Sequence, residues 1–185
     1  MQRRKFLTTT LATATVVTAA TTIVAQAQTT TAKPFVVKKG EARSGIHTPY
    51  RGINPNDIKI SGKDTNGQLA VFDYIGNEKA GVSLHVHHEQ DEIFNIIEGE
   101  YLFEVGGEQI KASEGDTVFA PRKVPHTWVQ LSEKGRIIYS FQPAGKMEEF
   151  FVAMSALKTA PTKELITALE EAYGMSSLGP GLSIK

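Results

Sequence analysis

Short apolar runs, separated by turn-forming residues, occupy the chain from Pro34 to Gln142. Most runs are rich in β-branched and aromatic side chains, and pairs such as Gly106-Gly107 lie between them. Short strands at regular spacing are typical of an all-β sandwich or barrel. The predicted strands are Phe35–Val37, Ile58–Ile60, Leu69–Ile75, Val82–His87, Ile93–Ile97, Tyr101–Val105, Gln109–Lys111, Thr117–Ala120, His126–Leu131 and Arg136–Phe141.

The pattern changes after Pro143, where apolar residues recur at helical spacing. It predicts two helices, Met147–Leu157 and Thr162–Tyr173, with Thr162 as a cap at the start of the second and Gly174 at its end. We expect both helices to pack on the outside of the barrel. Gly179-Pro180-Gly181 predicts a turn in the tail.

Composition narrows the classes of protein that fit. The 185 residues suit one domain, and 20 basic residues balance 20 acidic ones. Such a balance gives no strong field to attract nucleic acid or an acidic membrane, so we predict no nucleic-acid partner. The chain has no cysteine, which excludes disulfides, cysteine-based zinc sites and cysteine nucleophiles.

The first residues resemble a twin-arginine export signal, with Arg3-Arg4 followed at one residue's distance by Phe6-Leu7 and then an uncharged run. That run is Thr-rich and weakly apolar, which predicts no stable membrane insertion after cleavage. Ala25-Gln26-Ala27 fits a small-x-small cleavage site. We predict a signal peptide over 1–27, a flexible lead over 28–35, and a periplasmic or secreted mature protein.

Three histidines and one glutamate form the candidate metal site. His85 and His87 are two residues apart in a predicted strand, so their side chains point to the same face. Glu92 follows a polar turn and can bring a carboxylate beside them, and His126 begins a distant strand. By strand alternation His88 faces away from the pair, and His47 falls in a loop.

Two segments resemble the conserved motifs of the cupins. In residues 81–99 the first motif is filled by His85, His87, Glu92 and Gly99, and in residues 115–130 the second is filled by Gly115, Pro121 and His126. The chain departs from the second motif at Lys123, where Gly is common, and at Gln130, where Asn is common. The resemblance implies a jelly-roll barrel over 36–151 that encloses one metal ion, with a helical extension and tail over 152–185.

Three imidazoles and a carboxylate suit one divalent transition metal, which can be Fe, Mn, Ni, Cu or Zn. Four protein ligands leave positions open for a small-molecule substrate, and Glu92 can also take a proton from a substrate hydroxyl. Strand parity places Phe94, Ile96 and Trp128 on the same side as the ligands, and Phe72 is a further candidate for substrate contact. Core packing is the alternative for each of these four residues.

Within the cupins the chain resembles the quercetin-dioxygenase-like group through HxHx4E, VPHTWVQ and the stretch Gln142–Phe151. This resemblance implies a metal-dependent dioxygenase acting on a small aromatic or flavonol-like substrate, and it suggests a homodimer. Two alternatives stay open. One is a non-oxidative cupin, which would be an isomerase, lyase or decarboxylase, and the other is a non-catalytic protein that binds a small molecule or a metal.

Overall fold

A computed structural model describes residues 33–157 and 159–184. The predicted signal peptide and most of the predicted lead lie outside these described residues. Within the described ranges, neither helix combines the length and the apolar composition that a membrane crossing requires.

Ten strands form two antiparallel five-stranded sheets, as expected for the cupin jelly roll. One sheet has the order β1-β2-β9-β4-β7 and the other β10-β3-β8-β5-β6. The strands are β1 Asn56–Ile60, β2 Ala70–Gly76, β3 Leu84–His87, β4 Asp91–Glu98, β5 Glu100–Val105, β6 Glu108–Ser113, β7 Thr117–Ala120, β8 His126–Gln130, β9 Gly135–Gln142 and β10 Met175–Gly179. A short 3-10 helix (Gly62–Thr65) follows β1, and two α-helices, α1 Met147–Ser155 and α2 Lys163–Ala172, lie between β9 and β10.

Side-chain alternation along the strands decides which residues fill the space between the sheets. In β4, Glu92, Phe94 and Ile96 are buried, whereas the residues between them are only partly buried. Phe94 packs against Phe103 of the opposite sheet, with ring centroids 5.0 Å apart. Large aromatic side chains therefore dominate the core, and the same inward parity carries Glu92 into it.

One predicted strand does not form, and one observed strand was not predicted. Phe35–Val37 forms no strand: Val36 is 86% exposed, and Phe35 instead packs under the guanidinium of Arg43, 3.9 Å from the ring centroid. Conversely, β10 was not predicted. This strand pairs with β3, and Met175 lies opposite His87. The predicted jelly-roll fold and both C-terminal helices are confirmed, and the segment after α2 adds an edge strand to the sheet that carries the histidines.

Candidate metal centre

The structure brings His85, His87, Glu92 and His126 into one cluster whose possible ligand atoms all lie within 4.8 Å of one another. His85 and His87 project from β3, and His126 begins β8 directly opposite His85 in the strand register. Glu92 comes from β4 in the other sheet. The cluster therefore joins the two sheets across the core, which explains why ligand candidates far apart in sequence meet.

Glu92 is the centre of the polar contacts. Its Oε2 atom lies 3.0 Å from Nε2 of His126 and 3.3 Å from Nε2 of His87. The His85 and His126 rings lie edge to face with their centroids 4.5 Å apart. Glu92, His87 and His126 are each at least 95% buried, so the cluster is shielded from bulk water.

Backbone carbonyls set the orientation of two imidazoles. The Nδ1 atom of His85 lies 2.8 Å from the Ser83 carbonyl oxygen, and the Nδ1 atom of His126 lies 3.0 Å from the Val124 carbonyl oxygen. A carbonyl only accepts, so each Nδ1 carries a proton; Nε2 of the neutral His85 ring keeps its lone pair, whereas Nε2 of His126 donates to Glu92 Oε2 and would have to lose that proton to bind a metal. The Nδ1 atom of His87 is buried and finds no hydrogen-bond partner among the described residues.

The cluster carries the charges that a cation would need. Burial lowers the pKa of His85 to about 3, assisted by the neighbouring His126 and His87, so this ring is neutral at pH 7. Burial alone would raise the pKa of Glu92, but hydrogen bonds from His126 and His87 outweigh it and lower the pKa to about 2. Burial also opposes protonation of His126, but Glu92 outweighs this effect and raises its pKa. His85 and Glu92 are therefore in the protonation states that bind metals, and a proton held on His126 by Glu92 would be released when a metal binds.

These residues fit a single transition-metal ion. Protein N and O ligands bind such ions at ~2.1 Å, so two ligand atoms on one ion lie no more than ~4.2 Å apart. The observed cluster is slightly wider than this and would need only a small inward movement of side chains. Three imidazoles and one carboxylate are a donor set that suits several divalent metals. The group could therefore hold a metal ion, as such groups do in cupins.

An ion pair fixes the two segments that carry Glu92 and His126. Arg122, in the turn before β8, donates through Nη2 to Asp91 Oδ2 at 2.7 Å and through its backbone N–H to Asp91 Oδ1 at 2.9 Å. Lys123 follows with a φ of +65°, a conformation that favours glycine, and its N–H donates to the His87 carbonyl. The chain thus retains the left-handed turn at the position where cupins commonly have glycine.

The remaining histidines lie apart from the cluster. His88 is exposed, and its Nε2 atom lies 2.9 Å from the hydroxyl oxygen of Ser176 on β10. His47 is exposed in a loop and lies 2.7 Å from Asp57 Oδ1. Glu89 is exposed beside His88. None of the three contributes a ligand atom to the described cluster.

We expect His88→Ala to leave the metal content of the purified protein unchanged, because this exposed imidazole lies just after β3 and outside the cluster. Elemental mass spectrometry of wild type and variant, purified in parallel, measures the metal bound per chain. A large loss of metal in His88→Ala would contradict the choice of histidines.

A cavity of about 560 Å³ opens onto His85, His87 and Glu92. This volume lies within the ~300–1,000 Å³ range of small-molecule sites. Its walls are mainly apolar and include the aromatic residues Phe94, Trp128, Tyr139, Phe141, Phe150 and Phe151. A flat organic molecule could therefore pack against these rings while it reaches the cluster.

Two of the four predicted substrate contacts line this cavity and two do not. Phe94 and Trp128 lie in its wall. Phe72 instead packs behind the wall, against Tyr139 at 5.2 Å and Phe141 at 5.7 Å between ring centroids. Ile96 has the inward parity of Phe94 but lies two residues farther along β4, in the core opposite Ile137. Strand parity predicts burial but not the end of the strand at which the cavity lies.

The C-terminal extension supplies part of the cavity wall. Phe150, Phe151 and Met154 of α1 line it, as do Ile166 and Glu170 of α2 and the tail residues Leu182 and Ile184. Sequence reasoning placed these helices outside the barrel and assigned none of their residues to the site. The periodic apolar face of each helix was a usable signal for packing, but it did not show that the helices cover a cavity.

Comparison with known proteins identifies the class. Residues 72–140 match the sequence family described as a cupin domain. The structure of KdgF from Halomonas sp. superposes with a TM-score of 0.51 at 21% identity, over 60% of this chain and 94% of that one. That likeness shows the fold. Residues 72–140 thus match a cupin domain, the described residues have the cupin fold, and the inward-facing His/Glu group could hold a metal ion.

Two curated relatives are similar over part of their length. An uncharacterised protein of Methanocaldococcus jannaschii is 40% identical over 96 residues, covering 51% of this chain and 66% of that protein. Quercetin 2,3-dioxygenase of Bacillus subtilis is 26% identical over 120 residues, covering 65% of this chain and 34% of that enzyme. The chain thus spans less than two thirds of the length of each of these relatives.

Proposed function

We propose that this protein is a metal-dependent dioxygenase that acts on a small aromatic, flavonol-like substrate. The observation that carries the proposal is the His/Glu cluster at the wall of an aromatic-lined cavity. The weak similarity to a quercetin 2,3-dioxygenase adds support from sequence. We assign metal binding to His85, His87, Glu92 and His126.

The cavity suits an aromatic substrate in both size and lining. Phe94 and Trp128 present rings from opposite sheets, and Phe150 and Phe151 present rings from α1. Aromatic surfaces of this kind stabilise a flat ring by stacked or edge-to-face contact. The buried walls would also exclude water from the substrate once it is bound.

Glu92 is the residue we propose as the proton acceptor. A bound divalent metal would supply open positions for a substrate oxygen and for dioxygen, both atoms of which enter the product of a dioxygenase. The carboxylate of Glu92 borders the cavity, so it can accept the proton of a substrate hydroxyl. The His87 and His126 rings beside its Oε2 atom would hold the carboxyl group in position during this transfer.

The test combines metal analysis with oxygen consumption. Purified protein is analysed by elemental mass spectrometry, and its oxygen uptake is then recorded with a flavonol and with simple catechols. We expect about one equivalent of a redox-active metal per chain, in keeping with a single four-residue site, and oxygen uptake that depends on the substrate.

The other outcomes identify the alternatives. One equivalent of metal with conversion of a substrate but without oxygen uptake would point to an isomerase, lyase or decarboxylase. A ligand that binds tightly and is never converted would indicate a binding protein. Protein without metal, even after incubation with each candidate divalent ion, would exclude the proposed site.

A further inference from the structure

Buried polar atoms without partners are concentrated around the cavity. Five buried side-chain N or O atoms find no hydrogen-bond partner among the described residues, and four of them belong to residues that line the cavity. One is His87 Nδ1, within the metal cluster. The other three are Asn56 Nδ2, Tyr74 Oη and Glu170 Oε2. A buried polar atom without a partner is costly and needs an explanation, and binding of a ligand is one.

Glu170 is the least expected member of this group. It lies on α2, outside the segment that matches the cupin family, yet it is only 5% exposed. Its Oε1 atom accepts a hydrogen bond from the Ser83 hydroxyl at 3.2 Å, two residues before His85, while its Oε2 atom has no partner. Carboxylates are rarely buried to this extent without partners for both oxygens. Burial raises the pKa of Glu170, and the nearby hydroxyl groups of Ser177 and Ser83 oppose this rise.

Asn56 and Tyr74 form a pair on the neighbouring strands β1 and β2. They lie directly opposite each other in the strand register. The Oδ1 atom of Asn56 accepts a hydrogen bond from the Tyr139 hydroxyl at 2.7 Å, which leaves the amide nitrogen as the unpartnered donor. Tyr74 packs its ring edge-on against Trp128 and leaves its hydroxyl without a partner. The pair therefore offers one N–H donor and one hydroxyl group.

We propose that Glu170, Tyr74 and Asn56, which line the same cavity as the metal cluster, form a subsite that binds hydroxyl groups of the substrate. The inference rests on the proposed function and narrows its substrate class to polyhydroxylated aromatic compounds. A ligand hydroxyl can donate a hydrogen bond to the Glu170 carboxylate and accept one from the Asn56 amide, so hydroxyl groups can satisfy both the acceptor and the donor. An aromatic acid fits this subsite poorly, because Glu170 itself brings an acidic group to the wall. The cationic wall residues Arg51 and Lys79 already lie beside Glu78 and Glu133.

Tryptophan fluorescence provides a binding assay that needs no turnover. Trp128 is the single tryptophan of the chain and lies in the cavity wall, so a bound flavone should quench it. Titrations under nitrogen compare quercetin with 3-hydroxyflavone, which shares the 3-hydroxyl group but lacks the other ring hydroxyls. We expect wild type to bind quercetin at least about tenfold more tightly, which is the effect of one or two well-placed hydrogen bonds.

Two variants assign this preference to the subsite. Tyr74→Phe removes only the unpartnered hydroxyl, and Glu170→Ala removes the carboxylate. Each is expected to lose most of the preference for quercetin while binding 3-hydroxyflavone as wild type does. Glu171→Ala, at an exposed position of the same helix, is the matched control and should behave as wild type. If Glu170→Ala does not fold, Tyr74→Phe decides alone.

Thermal unfolding of Tyr74→Phe separates a ligand-binding role from a structural one. Removing a hydroxyl that has no partner in the free protein should leave the unfolding temperature unchanged or raise it. A lower unfolding temperature with unchanged quercetin binding would mean that the hydroxyl serves the fold, and it would overturn the inference. Equal binding of both flavones by wild type, or a preference kept in both variants, would overturn it as well.

The failure of this inference is distinguishable from the failure of the proposed function. Oxygen uptake on a flavonol without any preference between the two flavones would retain the dioxygenase and reject the subsite. A clear preference that both variants abolish, without oxygen uptake under any metal, would retain the subsite and reject the dioxygenase.

Discussion

His126→Ala should abolish stoichiometric metal binding and lower the apparent metal affinity by at least ~100-fold. Changes to groups that merely support a metal ligand already cost 10–100-fold, and this change removes a ligand candidate itself. His126 also contacts Glu92 Oε2 at 3.0 Å, so its loss removes a hydrogen bond to the buried carboxylate. Titration of metal-free wild type and variant with Zn²⁺ or Co²⁺, followed by calorimetry, measures the difference.

The controls for this experiment address folding. Loss of the imidazole leaves a void and a carboxylate with fewer partners, so some loss of stability is expected in the variant. Circular dichroism and thermal unfolding, recorded on metal-free samples, establish whether the fold persists. His88→Ala is the matched variant, since it removes an exposed imidazole that lies just after β3 and outside the cluster. A folded His126→Ala protein that keeps full metal occupancy would refute the assignment of His126.

The fold was largely predictable because its main signals are local. Side-chain alternation and turn residues define most of the strands, and the spacing of His85, His87 and Glu92 indicates one inward face. Strand β10 escaped prediction because its sequence, MSSLG, has two serines in its middle and a glycine at its end. It is held by pairing with β3, a long-range contact that no local pattern reports. Phe35–Val37 shows the converse, because an apolar run without a pairing partner remains outside the sheets.

The wall of the cavity was harder to predict than the metal cluster. The sequence around Glu170 on α2 predicts an ordinary solvated charge, since two other glutamates share this helix and no motif lies beside it. Only the packing of α2 beside Ser83 buries it. Ile96 was predicted as a substrate contact from strand parity, and Phe72 as a further candidate, but parity gives the face of a strand and not the position along it. The position of the cavity along the strands depends on how the two sheets and the C-terminal helices pack against one another.

Glu92→Gln should suppress turnover by ~10²–10⁴-fold while the fold is kept, because it removes the proposed proton acceptor and leaves a side chain of the same size. The amide oxygen can still accept a hydrogen bond from His126, so the geometry of the cluster should change little. The amide binds a cation more weakly than the carboxylate does, so rates must be expressed per bound metal. Oxygen uptake and metal content, measured on the same samples, give that ratio.

Glu89→Gln is the matched control, because it makes the same chemical change at an exposed position three residues away. It should leave both metal content and turnover at wild-type values. If Glu92→Gln retains its metal and turns over substrate at the wild-type rate, no carboxylate is needed and the proton must leave by another route. If Glu92→Gln loses both metal and activity, Glu92 contributes to metal binding. If Glu92→Asp then restores the metal but not the rate, the length of the Glu92 side chain is also required for proton transfer.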